Sequence, residues 1–152
     1  MNQLGFNILP IDDGRYSVAD PLVDGERLIS LLRKHETPFA KREGHADIAG
    51  AYMGFPPQEV FLPSKRFLGD CEDFDSEDDM VAILGCDCGC GGCWPFLARI
   101  EVTGTKVRWT DFKQPHRGKD AVAGYWDYSK FPKFEFDLEQ YREALTLPEA
   151  QQ

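Results

Sequence analysis

A chain of 152 residues is long enough for one domain, which would remove about 70% of its unfolded surface from water on folding. Its composition, 42% hydrophobic and 28% charged, is typical of a globular domain. The formal net charge of −9 argues against nucleic acid as a partner, because phosphate binding needs a basic surface, and it is compatible with a basic protein partner.

The sequence predicts a cytoplasmic protein without membrane association. Residues 1–10 lack a basic flank followed by a long apolar core, so no signal peptide is expected. No apolar run approaches the roughly 18 residues that a membrane-spanning helix needs. The five cysteines are odd in number and mostly clustered, which fits a reducing compartment better than a disulfide scaffold.

The N-terminal half predicts few regular elements. Residues 6–11 alternate loosely, and Pro10 limits them to an edge strand or a short strand. A helix is expected over 24–35, with Asp24 as its N-cap and with Pro38 preventing continuation. From 37 to 69 the chain carries too many glycines and prolines for long elements, and its aromatic residues are expected to anchor it to the core.

The C-terminal half predicts strands over 80–85, 95–102 and 106–112. A two-residue turn at Gly104-Thr105 joins the last two strands and sets their register. That register pairs Val102 with Val107, Ile100 with Trp109, Ala98 with Asp111 and Glu101 with Arg108. After a short aromatic strand, a helix is expected over 138–146, with Asp137 and Gln140 as a capping box and 147–152 as a frayed tail. The predicted fold is a single α+β domain over 1–152, with an antiparallel sheet of three or more strands, a central β-hairpin and two main helices.

The loop between the first two of these strands carries the strongest chemical signal. Four of the five cysteines, Cys86, Cys88, Cys90 and Cys93, lie within eight residues and alternate with glycines. Cys90 and Cys93 have the two-residue spacing of a zinc knuckle, and Cys86 and Cys88 place their sulfurs on one side of an extended backbone. Four ligands from so short a segment would strain a tetrahedral site, so a set completed by His116 is easier to close.

Two other interpretations of the thiols remain open. A redox protein or thiol-dependent enzyme would need a cation to lower the pKa of a thiol, and 71–97 contains no Lys, Arg or His. The same region carries many carboxylates, so only Arg99, or His116 and Arg117 folded back, can reverse the local field. In the third interpretation the thiols simply pack a glycine-rich turn.

The predicted hairpin brings a second set of residues to the cysteine loop. Strand 95–102 runs away from the loop and strand 106–112 returns to it, so Asp111, His116 and Arg117 are expected at its rim. Asp111 would lie on the face of Val107 and Trp109, where a half-buried carboxylate needs a partner. With Trp94, which follows the last cysteine, these three are the predicted binding residues.

The same residues resemble a bacterial family of uncharacterised proteins. The matching motif is Gly-Cys-x-Cys-Gly-x-x-Gly-Cys-Trp-Pro over 85–95, followed by Val-x-Trp-x-Asp-Phe-x-Gln-Pro-His-Arg over 107–117, and the likeness covers roughly the C-terminal half. The resemblance implies that Cys90 is a variable position, which favours Cys86, Cys88 and Cys93, with His116, as the ligand set. It implies no activity, and a non-enzymatic binding or structural protein is the favoured function.

Overall fold

The structure is a computed structural model that describes residues 1–70, 79–88 and 93–146. Two antiparallel sheets and two main helices form an α+β fold, as the sequence predicts. In chain order the elements are β1 (Leu4–Ile11), β2 (Tyr16–Val23), β3 (Glu26–Arg27), α1 (Leu28–Arg42), β4 (Tyr52–Met53), α2 (Pro57–Val60, a single turn), β5 (Val81–Cys86), β6 (Phe96–Thr103), β7 (Lys106–Lys113), β8 (Phe134–Asp137) and α3 (Leu138–Ala144).

The smaller sheet has the order β1-β2-β3. β1 is the edge strand that Pro10 predicts, although it is longer than expected, and the sequence reasoning missed its partner β2. The backbone of β2 donates to the loop before α2, from Ala19 N to Phe55 O at 2.8 Å. The contact is so close that a Cβ on Gly54 would lie 2.1 Å from the carbonyl oxygen of Ala19, so only glycine fits there.

The predicted start and end of the first helix are wrong. Asp24 is not an N-cap: it has φ 53° and, with Gly25 at φ 82°, forms the turn between β2 and β3, while its carboxylate accepts from Gln3 N at 2.8 Å. The helix begins at Leu28 and continues through Pro38 to Arg42. A proline in a helix interior removes a hydrogen bond and costs about 3 kcal/mol. Burial of Ala40 and the stacking of Phe39 on Trp126, with ring centroids 6.3 Å apart, contribute to offsetting that cost.

The larger sheet has the order β4-β5-β6-β7-β8 and contains all three predicted strands. Every residue of β5 is buried, in agreement with its apolar sequence. The aromatic residues expected to anchor 37–69 are buried as well, namely Tyr52, Phe55, Phe61 and Phe67. The core therefore contains side chains from this sheet and from the segment 37–69.

The β6–β7 hairpin confirms the predicted register near its turn and corrects it at the far end. Val102 pairs with Val107, Ile100 with Trp109 and Glu101 with Arg108, and Gly104 has φ 61°. A β-bulge then shifts the register, so that Ala98 pairs with Phe112 rather than with Asp111. The extra residue turns Phe112 inward, where it stacks on Phe96 at 5.8 Å between ring centroids.

The same bulge corrects the predicted environment of Asp111. Its side chain is 59% exposed on the outer face, and Oδ2 accepts from Arg99 Nε at 2.9 Å. A carboxylate in water with a cation beside it avoids the cost of burial that the predicted register would have imposed.

The last helix joins the two sheets. Asp137 caps α3 by accepting from Gln140 N at 3.1 Å, as predicted. The Gln140 side chain does not complete a capping box; it pairs with the backbone of Leu4, accepting from its N–H at 3.0 Å and donating to its C=O at 2.8 Å. The residues that lie outside the described ranges include Cys90, the predicted frayed tail over 147–152 and most of the carboxylates between 70 and 79.

Candidate functional site

Strands β5 and β6 deliver the cysteine loop to one end of the larger sheet. β5 ends at Cys86, which is buried, whereas Cys88 and Cys93 are exposed. The three sulfur atoms lie within 4.8 Å of one another. Three thiols at this spacing can hold a metal ion, because thiolate sulfur is a strong ligand for soft and borderline metals.

The electrostatics of the cluster keep Cys86 protonated without a metal. Burial raises the pKa of its thiol to about 12; the neighbouring Cys88 and Cys93 thiols add to the rise, and the Cys88 N–H, 3.5 Å from Cys86 Sγ, opposes it. A thiol with so high a pKa is a poor nucleophile at neutral pH. A metal ion that binds Cys86 would have to displace its proton, as metal ions do when they bind thiol ligands.

His116 and Trp94 come together beside the loop, as the hairpin predicts. Their rings stack at an interplanar angle of 12° with centroids 5.7 Å apart. His116 is not part of the cysteine cluster in the described parts of the chain. Its role as a metal ligand remains a prediction, and the stack places it next to the residue that follows Cys93.

Arg117 lies near two tryptophan rings and forms an ion pair with Glu43. Its guanidinium carbon is 5.0 Å from the Trp94 ring centroid and 5.7 Å from that of Trp126. Its Nε and Nη2 lie 3.1 Å from the carboxylate of Glu43, which also accepts from Trp126 Nε1 at 2.6 Å. Burial would raise the pKa of Glu43, but the hydrogen bonds and charge of Arg117 outweigh it, so the pKa is lowered.

A groove of about 800 Å³ contains three of the four predicted binding residues. Asp111, His116 and Arg117 line it, together with other residues from the end of β7 and from the segment up to Trp126. Trp94 is not among the lining residues, but its ring stacks on that of His116, which lines the groove. The four predicted binding residues thus lie near one another. The β6–β7 register that places them differs from the predicted one, and Arg117 is paired with Glu43.

A buried polar network beneath the loop was missed by the sequence reasoning. The carboxylate of Glu36, on α1, accepts from Gly50 N at 2.9 Å and from the hydroxyls of Tyr52 and Tyr128, each at 2.6 Å. Burial raises the pKa of Glu36, and the three hydrogen bonds oppose that rise. Gln114, which is 1% exposed, donates from Nε2 to Tyr52 Oη at 3.3 Å.

One signal in the sequence points to Glu36. Leu28, Leu32, Glu36 and Ala40 follow one another at intervals of four residues, and all four are buried. A carboxylate in an apolar helical stripe needs internal donors, so two buried tyrosines beside it are the expected solution. By contrast, no periodicity marks Gln114, whose burial depends on the tertiary structure.

No protein-family model, curated protein sequence or solved structure matches this chain. The resemblance of the loop to a bacterial family therefore remains a prediction. Among residues 1–70, 79–88 and 93–146, no helix has the length and apolar character needed to cross a membrane.

Proposed function

We propose that this chain is a non-enzymatic, cytoplasmic binding or structural protein whose cysteine loop holds zinc through Cys86, Cys88 and Cys93, with His116 as the fourth ligand. The observation that supports the proposal is the approach of the three sulfur atoms to within 4.8 Å of one another. In a tetrahedral site with Zn–S bonds of about 2.3 Å, neighbouring sulfurs lie about 3.8 Å apart. Small rotations of the two exposed side chains, Cys88 and Cys93, would close that difference.

The ligands favour a soft or borderline metal, and zinc is the metal that we propose. Thiolates favour zinc, copper(I) and iron–sulfur clusters over hard cations such as calcium and magnesium. Zinc has no geometric preference from its d electrons, so it accepts ligand positions that the backbone of a short loop imposes.

Metal analysis of freshly purified protein tests the proposal directly. We expect one zinc per chain, and cobalt(II) substitution should give the visible bands of tetrahedral thiolate coordination. Serine variants of Cys86, Cys88 and Cys93 should each lose the metal, whereas Cys71→Ser, which changes the cysteine outside the loop, should retain it.

Thiol titration of the same sample distinguishes the alternatives. Zinc binding predicts that Cys86, Cys88 and Cys93 react only after a chelator is added. A metal-free sample with a fast-reacting thiol near neutral pH would replace the proposal with a thiol-dependent redox protein or enzyme. Slow-reacting thiols in a metal-free sample would support the third interpretation, in which the thiols simply pack a glycine-rich turn.

The net charge of −9 is compatible with a basic protein as the partner of this chain. Attraction between an acidic and a basic surface is screened with a Debye length of about 10 Å at 0.1 M salt. Association driven in this way should weaken steeply between 50 mM and 500 mM NaCl in a binding titration. A salt-independent affinity would contradict a partner chosen by charge.

A further inference from the structure

The buried network beneath the cysteine loop reaches both ends of that loop. At the first end, Tyr52 of β4 pairs with Cys86 of β5, and Asp87 N donates to Ala51 O at 3.3 Å. At the second end, Gln114 Nε2 donates to Pro95 O at 3.0 Å, two residues after Cys93. The Tyr52 hydroxyl and the Gln114 amide meet at 3.3 Å, so one chain of contacts connects the two ends.

Gln114 also fixes the turn that carries His116. Its Oε1 accepts from His116 N at 3.0 Å and thereby caps the short 3-10 turn over 115–117. This turn holds His116 against Trp94, which directly follows Cys93. The side chain of Gln114 therefore contacts three parts of the site. These are β4, which pairs with Cys86, then Pro95, which follows the loop, and the turn that carries His116.

Glu36, on α1, holds the Tyr52 hydroxyl in place beside Gln114. Glu36 is fully buried, and its three donors, Gly50 N and the hydroxyls of Tyr52 and Tyr128, are neutral groups. A buried polar network with satisfied partners has few alternative arrangements, because each change leaves a polar group without a hydrogen bond. Because the Tyr52 hydroxyl donates its proton to Glu36, it can only accept a hydrogen bond from Gln114. Gln114 meets this requirement in one orientation of its amide, with Nε2 toward Tyr52.

We propose that Gln114 is the positioning residue of the cysteine cluster and that Glu36 and Tyr52 hold it in place. Beyond the last pair of β5 and β6, Leu84 with Phe96, Gln114 ties Pro95 to Tyr52 and so helps to preorganise the sulfurs for a metal ion. The proposal rests on the proposed zinc function and adds the part of the fold that determines affinity. Outer residues that orient metal ligands typically contribute about 10- to 100-fold in affinity.

The test compares two variants that each remove buried hydrogen bonds. Gln114→Met keeps an unbranched side chain of similar length and loses the contacts to Pro95, Tyr52 and His116. The matched control is Tyr141→Phe, whose hydroxyl links Trp109 Nε1 to the Phe67 carbonyl away from the loop. Zinc affinity is measured by chelator competition, and unfolding by urea at the same pH gives the stability of each protein.

We expect Gln114→Met to weaken zinc binding about 10- to 100-fold, and Tyr141→Phe to change it less than about threefold at a comparable loss of stability. Equal losses of affinity in the two variants would overturn the proposal, because stability alone would then explain them. If Gln114→Met does not fold, Tyr52→Phe provides the same comparison, since it removes the hydroxyl that connects Gln114 with Glu36. No change of affinity in Tyr52→Phe would also overturn it.

A metal-free measurement separates this proposal from the zinc proposal. If the wild-type protein binds no zinc, the zinc function fails, and the alkylation rate of Cys86 still reports how firmly the loop ends are held. Loss of the three hydrogen bonds of the Gln114 side chain should make Cys86 react at least about fivefold faster in Gln114→Met, with Tyr141→Phe close to wild type. Equal alkylation rates in Gln114→Met and wild type would show that Gln114 does not hold the loop.

Discussion

Replacing Glu43 by alanine should lower the free energy of unfolding by about 4 kcal/mol. The carboxylate is the partner of Arg117 in an ion pair whose side chains are only 11% and 16% exposed. Removing one member of a buried pair costs about 3–5 kcal/mol, and the residual exposure favours the lower end, about 3 kcal/mol. Trp126 Nε1 also loses its acceptor, which adds about 1 kcal/mol.

A double-mutant cycle isolates the pair from the packing of the two tryptophans around it. Arg117→Met should also destabilise the protein, because it leaves the Glu43 carboxylate without its cation. The double variant Glu43→Ala, Arg117→Met should lose less stability than the sum of the two single variants, since the second substitution removes a charge that the first left buried without its partner. Urea unfolding followed by far-UV circular dichroism measures all four proteins and avoids the altered fluorescence of Trp94 and Trp126.

Two results would refute this reasoning. A loss below about 1 kcal/mol for Glu43→Ala would mean that the pair behaves as an exposed surface contact. Single-variant effects that simply add in the double variant would mean that the two side chains are not coupled. Either result would remove the support that the ion pair gives to the turn carrying His116.

Three further predictions concern the rest of the fold. Because burial raises the pKa of Glu36 above its ordinary value of 4.5, the folded state holds its proton to higher pH than the unfolded state, so stability falls as pH rises through the raised pKa. Urea unfolding between pH 4 and pH 8 should therefore show Glu36→Gln gaining stability relative to wild type as pH rises, and a constant difference would contradict this. Gly54→Ala should cost about 3 kcal/mol or more, because the new Cβ would lie 2.1 Å from Ala19 O; thermal unfolding close to that of wild type would exclude this contact. Asp111→Ala should cost at most about 0.5 kcal/mol, since its pair with Arg99 is largely exposed; a loss of 2 kcal/mol in urea unfolding would instead indicate the buried position that the sequence suggested.

Helix α1 illustrates why its limits were predicted wrongly. Asp24 before a run of leucines fits an N-cap, and the same Asp followed by Gly25 fits a hairpin turn. The pairing of β2 with β3 decides for the turn, and this pairing depends on strand β2, which the sequence reasoning missed. Pro38 lies inside the helix because Phe39 and Ala40 pack against distant parts of the chain, a gain that local propensity does not include.

The candidate site shows the same division between local and distant causes. The cysteine spacing and the Gly104-Thr105 turn predicted that His116 would return beside the loop, and it stacks on Trp94. The network of Glu36 and Gln114 joins residues far apart in sequence, which no periodic pattern connects. The cysteine spacing therefore predicts the candidate ligands, whereas the network that we propose to hold them depends on the tertiary structure.

The sequence by itself determined the strands β5, β6 and β7 and the cysteine cluster between two of them, because alternation, a glycine-first turn and thiol spacing act between neighbours along the chain. Only the tertiary structure decided that a bulge turns Asp111 outward and Phe112 inward. It also decided that Arg117 is committed to Glu43. The physical reason is that the free energy of burying an aromatic ring, a carboxylate or a guanidinium depends on groups brought together from elsewhere in the fold.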